Sequence, residues 1–197
     1  MWGGWYRDAA YMAFMEQAKK LMDGENKSAA SVAEVAVVVD EEAPLLLDDK
    51  DPGLRSVFFD FRETLGKAAV PLHWYLASDF EAIKDQYKAV VLLKPADTEL
   101  SARIETSGIS VLTVTPENCA MTPEQVRAFC RAAGVQVYSD RDAVVYANRN
   151  YIFLHTVEAG EQKLNLPENT VLRECFTGKT FDTTFCSEAG KSYLFQV

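Results

Sequence analysis

The middle of the chain alternates short apolar runs with segments whose apolar residues recur every three to four positions. Val32–Val39 and Lys88–Lys94 are almost continuously apolar, a pattern typical of strands buried on both faces of a sheet. Shorter apolar runs predict three further strands at Leu72–Ala77, Ile109–Thr115 and Val135–Ser139. We therefore expect five strands in this region.

Helix signals lie between these strands. Asp51 and Pro52 supply an N-cap and a first-turn proline, and Thr122 begins a capping-box sequence. Gly108 and Gly134 end two of the predicted helices. Because strands that alternate with helices form parallel sheets with right-handed crossovers, residues 30–141 are predicted to be an α/β domain, a flavodoxin-like or Rossmann-like three-layer sandwich.

After Asp140 the pattern changes to short β-like runs separated by turn sequences. The six runs are Ala143–Ala147, Tyr151–Thr156, Gln162–Leu166, Thr170–Phe176, Thr180–Phe185 and Ser192–Val197. They predict a small antiparallel β domain over residues 142–197. Its size is near the lower limit for independent folding, so we expect it to pack on the α/β domain.

The first unit, residues 1–29, is predicted to hold a helix and a linker. Ala10, Phe14, Ala18 and Leu21 follow the helical period, and several methionines widen the apolar face. A helix with so broad an apolar face must cover a core or a partner. The candidate interface residues, which are also candidates for the edge of a sugar site, are Trp2, Trp5, Tyr6, Met12 and Met15.

Composition removes several classes of function. The chain has 197 residues, of which 29 are acidic and 20 basic, and its formal charge of −9 argues against a nucleic-acid partner. No apolar run approaches the ~20 residues that span a membrane, and the start lacks the pattern of a secretory signal. We therefore predict a cytoplasmic protein with reduced thiols, although Cys175 and Cys186 lie in neighbouring β-like runs and a contact between them stays open.

The motifs of phosphate-bearing cofactors are missing, so no cofactor is predicted. The carboxyl ends of the strands are acidic, and Asp40, Glu41 and Asp97 are candidates for Mg²⁺ ligands. A receiver-like enzyme would also need a lysine after the fifth strand, where the chain has none. An amidotransferase-like enzyme would use Cys119, but the residues around it lack the glycines of a tight elbow, and neither histidine is well placed to serve it.

Longer segments resemble a known family. Met1–Tyr6, Ser31–Glu42, Ala133–Asp140 and Val145–Arg149 are similar to the C-terminal part of β-galactosidase-like glycoside hydrolases related to family 42. The late pattern around Asn165–Pro167 and Phe176–Gly178 resembles their terminal β domain. The resemblance covers nearly the whole chain.

The resemblance implies a class I glutamine amidotransferase-like α/β domain, called the trimerisation domain, followed by a small β domain. The catalytic TIM barrel is missing, so we expect no enzyme activity from this chain alone and interpret residues 1–6 as a remnant of the barrel's end. The implied function is a non-catalytic oligomerisation or accessory region, with a second copy or a TIM-barrel glycosidase domain as partner. One alternative is a carbohydrate-binding module that uses aromatic residues of the β unit or of the N-terminal segment. Trp74 and Tyr75, with Tyr146, Tyr151 and Phe153 of the β unit, are candidates for a further aromatic surface. The other alternative is a Mg-dependent receiver-like or amidotransferase-like enzyme that uses the acidic crevice.

Overall fold

The computed structural model describes residues 8–23 and 30–197. It contains an N-terminal helix, an α/β sandwich and an antiparallel β unit. The helix α1 spans Ala9–Asp23, in agreement with the prediction, and the side chain of Asp8 accepts hydrogen bonds from two amides of its first turn. The predicted interface residues Trp2, Trp5 and Tyr6 lie outside the described residues.

A four-stranded parallel sheet forms the centre of the sandwich. Its strands are β1 (Val35–Val39), β2 (Leu72–Leu76), β3 (Ala89–Leu93) and β4 (Ser110–Val114), in the order β2-β1-β3-β4. The two most apolar sequences, β1 and β3, occupy the central positions, where both faces are covered. The predicted fold class, an α/β parallel-sheet sandwich followed by a small antiparallel β domain, is confirmed.

Helices cover both faces of this sheet. They are α2 (Pro52–Arg55), α3 (Phe61–Lys67), α4 (Phe80–Ile83), α5 (Glu99–Glu105) and α6 (Pro123–Ala132). A π turn over Ser56–Asp60 joins α2 to α3, so one continuous helical segment follows Asp51 along the chain. The predicted caps form: the Asp51 carboxylate accepts the Gly53 N–H at 2.7 Å, and Thr122 begins α6 with a capping box.

The predicted fifth strand at Val135–Ser139 is wrong. Gly134 turns the chain with φ +72°, and the backbone N–H of Gln136 then donates to the Glu34 carboxylate at 2.8 Å. Tyr138 N–H donates to Ala69 O at 3.0 Å. Since Glu34 and Ala69 precede β1 and β2, the segment crosses the amino-terminal edge of the sheet on its way to the β unit, and its amides do not pair with β4.

The β unit contains a five-stranded sheet and a separate strand pair. Its strands are β5 (Ala143–Ala147), β6 (Tyr151–Thr156), β7 (Gly160–Lys163), β8 (Leu172–Glu174), β9 (Thr180–Phe181), β10 (Thr184–Ser187) and β11 (Ser192–Gln196). The larger sheet has the order β5-β6-β11-β8-β9, and β7 pairs with β10. The single run predicted at Thr180–Phe185 is therefore two strands, which belong to different sheets.

The two units share a packed junction. Ala69, which has a left-handed backbone with φ +54°, donates its N–H to Ala143 O at 3.1 Å and packs into the β core with Tyr138. Leu154 and Phe195 form the centre of that core. Within the described residues, no helix is long and apolar enough to cross a membrane.

Candidate interaction site

Asp40 lies directly after β1 and is completely buried. Its Oδ1 accepts the backbone N–H groups of Glu42 and Ala43 at 3.1 and 3.2 Å, and its Oδ2 accepts the hydroxyl of Thr98 at 2.5 Å. Thr98 is also the N-cap of α5. Asp40 therefore fixes the loop after β1 to the start of α5.

The other two candidate metal ligands also have partners in the protein. Glu41 accepts the N–H groups of Ala77 and Ser78 at 2.8 and 3.1 Å. Burial pushes the pKa of Glu41 upward, but hydrogen bonds from Ser78 and Ala77 outweigh it, so the net pKa lies below its ordinary value. Asp97 is exposed, and its hydrogen bond and ion pair with Lys94 (2.8 Å) lower its pKa.

The structure does not bring Asp40, Glu41 and Asp97 together as a ligand set. Across residues 8–23 and 30–197, no three His, Cys, Asp or Glu side chains form a group that could hold a metal ion. The three carboxylates instead hold separate segments: Asp40 binds its own loop and Thr98, Glu41 binds the amides after β2, and Asp97 pairs with Lys94.

That loop presents two leucines to solvent. Ala43–Leu46 is a 3₁₀ turn in which Ala43 is buried, while Leu45 and Leu46 are 83% and 64% exposed. We name Leu45 and Leu46 the leucine knob. Acidic side chains stand on both sides of the knob, at Glu42, Asp48 and Asp49. Sequence reasoning missed the knob, although the sequence Pro-Leu-Leu-Leu within an acidic loop was a signal for it.

A second apolar feature lies between the α/β sandwich and the β unit. Trp74 on β2 and Tyr146 on β5 are both exposed, and both strands are at an edge of their sheet. Together with Phe58, Leu65 and Gly66 they line a groove of about 600 Å³, which we name the edge groove. Its other lining residues are Arg62, Val70, Leu72, Val144 and Val145. Of the aromatic residues considered for one surface, Trp74 and Tyr146 line this groove, whereas Tyr75, Tyr151 and Phe153 do not.

The third apolar surface is the face of α1. Phe14 stacks on Phe176 of the β unit with ring centroids 5.0 Å apart, and Gln17 donates to Phe176 O at 3.1 Å. Met12 and Met15, two of the predicted interface residues, are 44% and 45% exposed. The helix thus touches the β unit while much of its apolar surface remains open to solvent.

The histidines are held by hydrogen bonds within the α/β and β units. His73 contacts the Tyr87 hydroxyl through Nδ1 at 2.7 Å and the Ser31 hydroxyl through Nε2 at 2.9 Å. Burial, together with the hydrogen bond to Tyr75, raises the pKa of Tyr87, so Tyr87 stays protonated. His155 contacts Ser192 at 2.9 Å.

The cysteines are free thiols. The Sγ of Cys119 contacts Pro116 O at 3.3 Å, and neither histidine is its hydrogen-bond partner. Cys175 follows β8 and Cys186 lies in β10, which belong to different sheets, and the two cysteines are not bonded to each other. The geometry around Cys119 does not include the base that an amidotransferase-like reaction needs.

The fold described above, a parallel α/β sandwich followed by a small antiparallel β unit, is shared with β-galactosidases. No protein-family model and no curated protein sequence matches the chain. The β-galactosidase from Bacillus circulans sp. alkalophilus superposes with a TM-score of 0.62 and 12% identity over 95% of this chain and 44% of its own. A catalytic mutant of a family 42 β-galactosidase from G. stearothermophilus superposes with a TM-score of 0.61 and 10% identity, over 95% of this chain and 42% of its own.

A more distant match is the family 42 exo-carrageenase from Bacteroides ovatus, with a TM-score of 0.51 and 10% identity over 84% of this chain and 29% of its own. The resemblance to family 42 enzymes is thus confirmed for the fold of part of those proteins. The chain spans less than half the length of each of these structures.

Proposed function

We propose that the chain is a non-catalytic accessory region that promotes oligomerisation and supports carbohydrate hydrolysis by a separate TIM-barrel domain. Its fold likeness to β-galactosidases extends over most of this chain but less than half of theirs. The reactive side chains considered above are occupied by structural hydrogen bonds, whereas the apolar surfaces are open. Both facts support a role in contact with other proteins.

The observation that carries the proposal is α1. Apart from the stack of Phe14 on Phe176 and the half-buried Ala18 and Leu21, the described side chains of this helix are exposed. A fifteen-residue helix gains most of its stability from packing an apolar face. Exposed Met12 and Met15 on such a helix favour a second protein surface that covers them.

Titration with the TIM-barrel domain of a family 42 β-galactosidase tests the barrel partner. We expect saturable binding of the full chain in sedimentation velocity, weakened when Met12→Glu and Met15→Glu are introduced together. Glu16→Gln, on the same helix, is the control and should bind like the unmodified chain. A chain that stays strictly monomeric at high concentration and binds no barrel domain would contradict the proposal.

The proposal includes a cytoplasmic location. All four cysteines are free thiols, which suits a reducing compartment. Fractionation of cells that express the protein, with thiol labelling before and after reduction, tests this location. Disulfide-linked cysteines in the native protein would contradict it.

A further inference from the structure

The leucine knob is held in place while it is exposed. Asp40 holds the amides of Glu42 and Ala43, Glu41 is fixed to Ala77, and Leu45 N–H donates to Glu42 O at 2.9 Å. These bonds hold the backbone of the loop in the conformation in which both leucines are exposed. Apolar side chains that are fixed in solvent lose little conformational freedom on binding, which is the property of a preorganised contact.

The edge groove is a matching concave surface. Its floor contains Gly66, and a Cβ added there would meet no atom within 4 Å. Glycine is a poor helix former, yet Gly66 lies within α3 where packing inside the chain does not require it. The space above Gly66 is therefore available to an apolar side chain from another molecule.

The charges at the two surfaces are complementary. Arg62 lines the groove, and the acidic residues next to it are engaged elsewhere, Asp60 with Arg55 and Glu63 with Lys67. Among the described residues, Arg62 has no carboxylate partner. Glu42, Asp48 and Asp49, the acids beside the knob, likewise have no ion-pair partner in the described part of the chain. In a protein with net charge −9, such a local pairing offsets the repulsion between copies.

Within one molecule the leucines of the knob are not among the residues that line the groove. The knob follows the carboxyl end of β1, where Val39 pairs with Leu76, whereas the groove is lined by Leu72 at the start of β2 and by Trp74 at its centre. The proposed contact is therefore one between two molecules. An interface between two different patches of the same protein is heterologous and extends into a ring or a chain.

From these observations we infer that the leucine knob of one copy inserts into the edge groove of a second copy, with Arg62 facing the acids beside the knob. The inference rests on the proposed oligomerisation and identifies the surfaces that perform it. A saccharide is the other occupant that exposed aromatic residues could bind. The groove offers few polar side chains for hydroxyl groups, mainly Arg62 and Tyr146, and this favours the leucines.

Two variants with opposite defects test the inference in sedimentation velocity. The knob variant carries Leu45→Ser and Leu46→Ser, and the groove variant carries Gly66→Leu. Both changes should leave the fold intact, since the leucines are exposed and the new side chain enters open space. The knob variant is expected to self-associate at least about a hundredfold more weakly, because it loses the burial of two leucines. The groove variant is expected to be weakened as well, because the added leucine side chain occupies the space that the knob would fill.

Mixing the two variants gives the decisive result. One intact knob and one intact groove remain in the mixture, so a one-to-one dimer is expected although each variant alone is monomeric. Val171→Ser removes another exposed apolar side chain and should associate like the unmodified protein. Replacing Arg62→Glu should weaken association, and adding Asp48→Arg and Asp49→Arg should restore it.

The outcomes separate this inference from the proposed function. If the unmodified protein associates and both variants associate equally well, the knob and groove are not the interface, while oligomerisation stands. If the mixture stays monomeric, the pairing of knob with groove is wrong. A monomeric unmodified protein would overturn this inference, and it would overturn the proposed function as well if the chain also bound no barrel domain. Tryptophan fluorescence that saturates with galactosides, but not in Trp74→Ala, would assign the groove to a sugar.

Discussion

Arg127 on α6 donates hydrogen bonds from both terminal guanidinium nitrogens to a single oxygen of Asp142, Oδ1, at 3.0 Å each. Arg127 is 4% exposed and also donates to Lys67 O and to the Glu124 carboxylate. Asp142 immediately precedes β5. One buried cation therefore joins the last two helices of this face, α3 and α6, to the first strand of the β unit.

Replacing Arg127→Ala should destabilise the protein by about 2 kcal/mol. The change leaves the Lys67 carbonyl and the Asp142 carboxylate without this donor, whereas Glu124 keeps Arg131. The loss stays below that of a fully buried pair because Asp142 is partly exposed. Urea unfolding measures the effect. Arg55→Ala, which removes an exposed ion pair of 3.6 Å, should change the free energy of unfolding by less than about 0.5 kcal/mol. Equal effects of the two variants would contradict the structural role of Arg127.

Replacing Asp40→Ala should cost about 3 kcal/mol, because two buried amides and the Thr98 hydroxyl lose their acceptor. Asp49→Ala, in the exposed part of the same loop, is the control. We also expect Mg²⁺ to leave the free energy of unfolding unchanged. Stabilisation by Mg²⁺ that disappears in Asp40→Ala would show that the carboxylate binds a cation.

Glu174 makes the stability of the protein depend on pH. Burial raises its pKa, but the Thr177 hydroxyl (2.6 Å) and the N–H groups of Thr177 and Phe176 outweigh this, so the net pKa is lowered. A carboxyl whose pKa is lower in the folded state adds stability above its unfolded pKa, and that stability is lost as the pH falls through the folded value.

Glu174→Gln should therefore lower the free energy of unfolding at pH 7 by about 2 kcal/mol and reduce its decline between neutral and acidic pH. Chemical unfolding at a series of pH values measures both. Glu161→Gln, on the exposed strand β7, is the control and should keep the original pH dependence. If the free energy of unfolding of Glu174→Gln declines in acid as much as that of the unmodified protein, Glu174 is not the source of this pH dependence.

Cys130 is completely buried, and burial raises the pKa of its thiol to about 11. Because the thiolate is the reactive form, Cys130 should resist a disulfide reagent at pH 8 until the protein unfolds, whereas the exposed Cys186 should react at once. Labelling kinetics in buffer and in urea, with Cys130→Ala as control, check this. Rapid labelling of Cys130 in the native protein would show that α6 opens readily.

The strands β5 and β6 could be predicted from the sequence to the residue, since both alternate buried and outward side chains between clear turns. The segment Val135–Ser139 has the same local pattern and is not a strand. Whether an extended segment joins a sheet depends on which neighbour receives its amides. Here the carboxylate of Glu34, which is far away in sequence, accepts the backbone N–H of Gln136.

The candidate site, like the fold, could be predicted from the sequence only in part. The sequence drew attention to the acids after β1 because carboxylates at strand ends suggest a metal site. In the structure Asp40 binds Thr98 and its own loop instead. The contact with Thr98 joins distant parts of the chain, so the spacing of residues in the sequence does not predict it. The edge groove combines Trp74 with Tyr146, which are joined by no local pattern. Exposure of α1 could be predicted in part, because its apolar face is wider than one packing partner needs.

Thr98 gives the protein an indirect way to adjust the surface beyond β1. The same hydroxyl group accepts the Ser101 N–H at the start of α5 and donates to Asp40. Substitutions in the first turn of α5 would therefore shift the projecting leucines without altering any residue that a partner touches. Under the pairing of knob and groove inferred above, the affinity can thus be changed at this helix end while the contacting side chains stay the same.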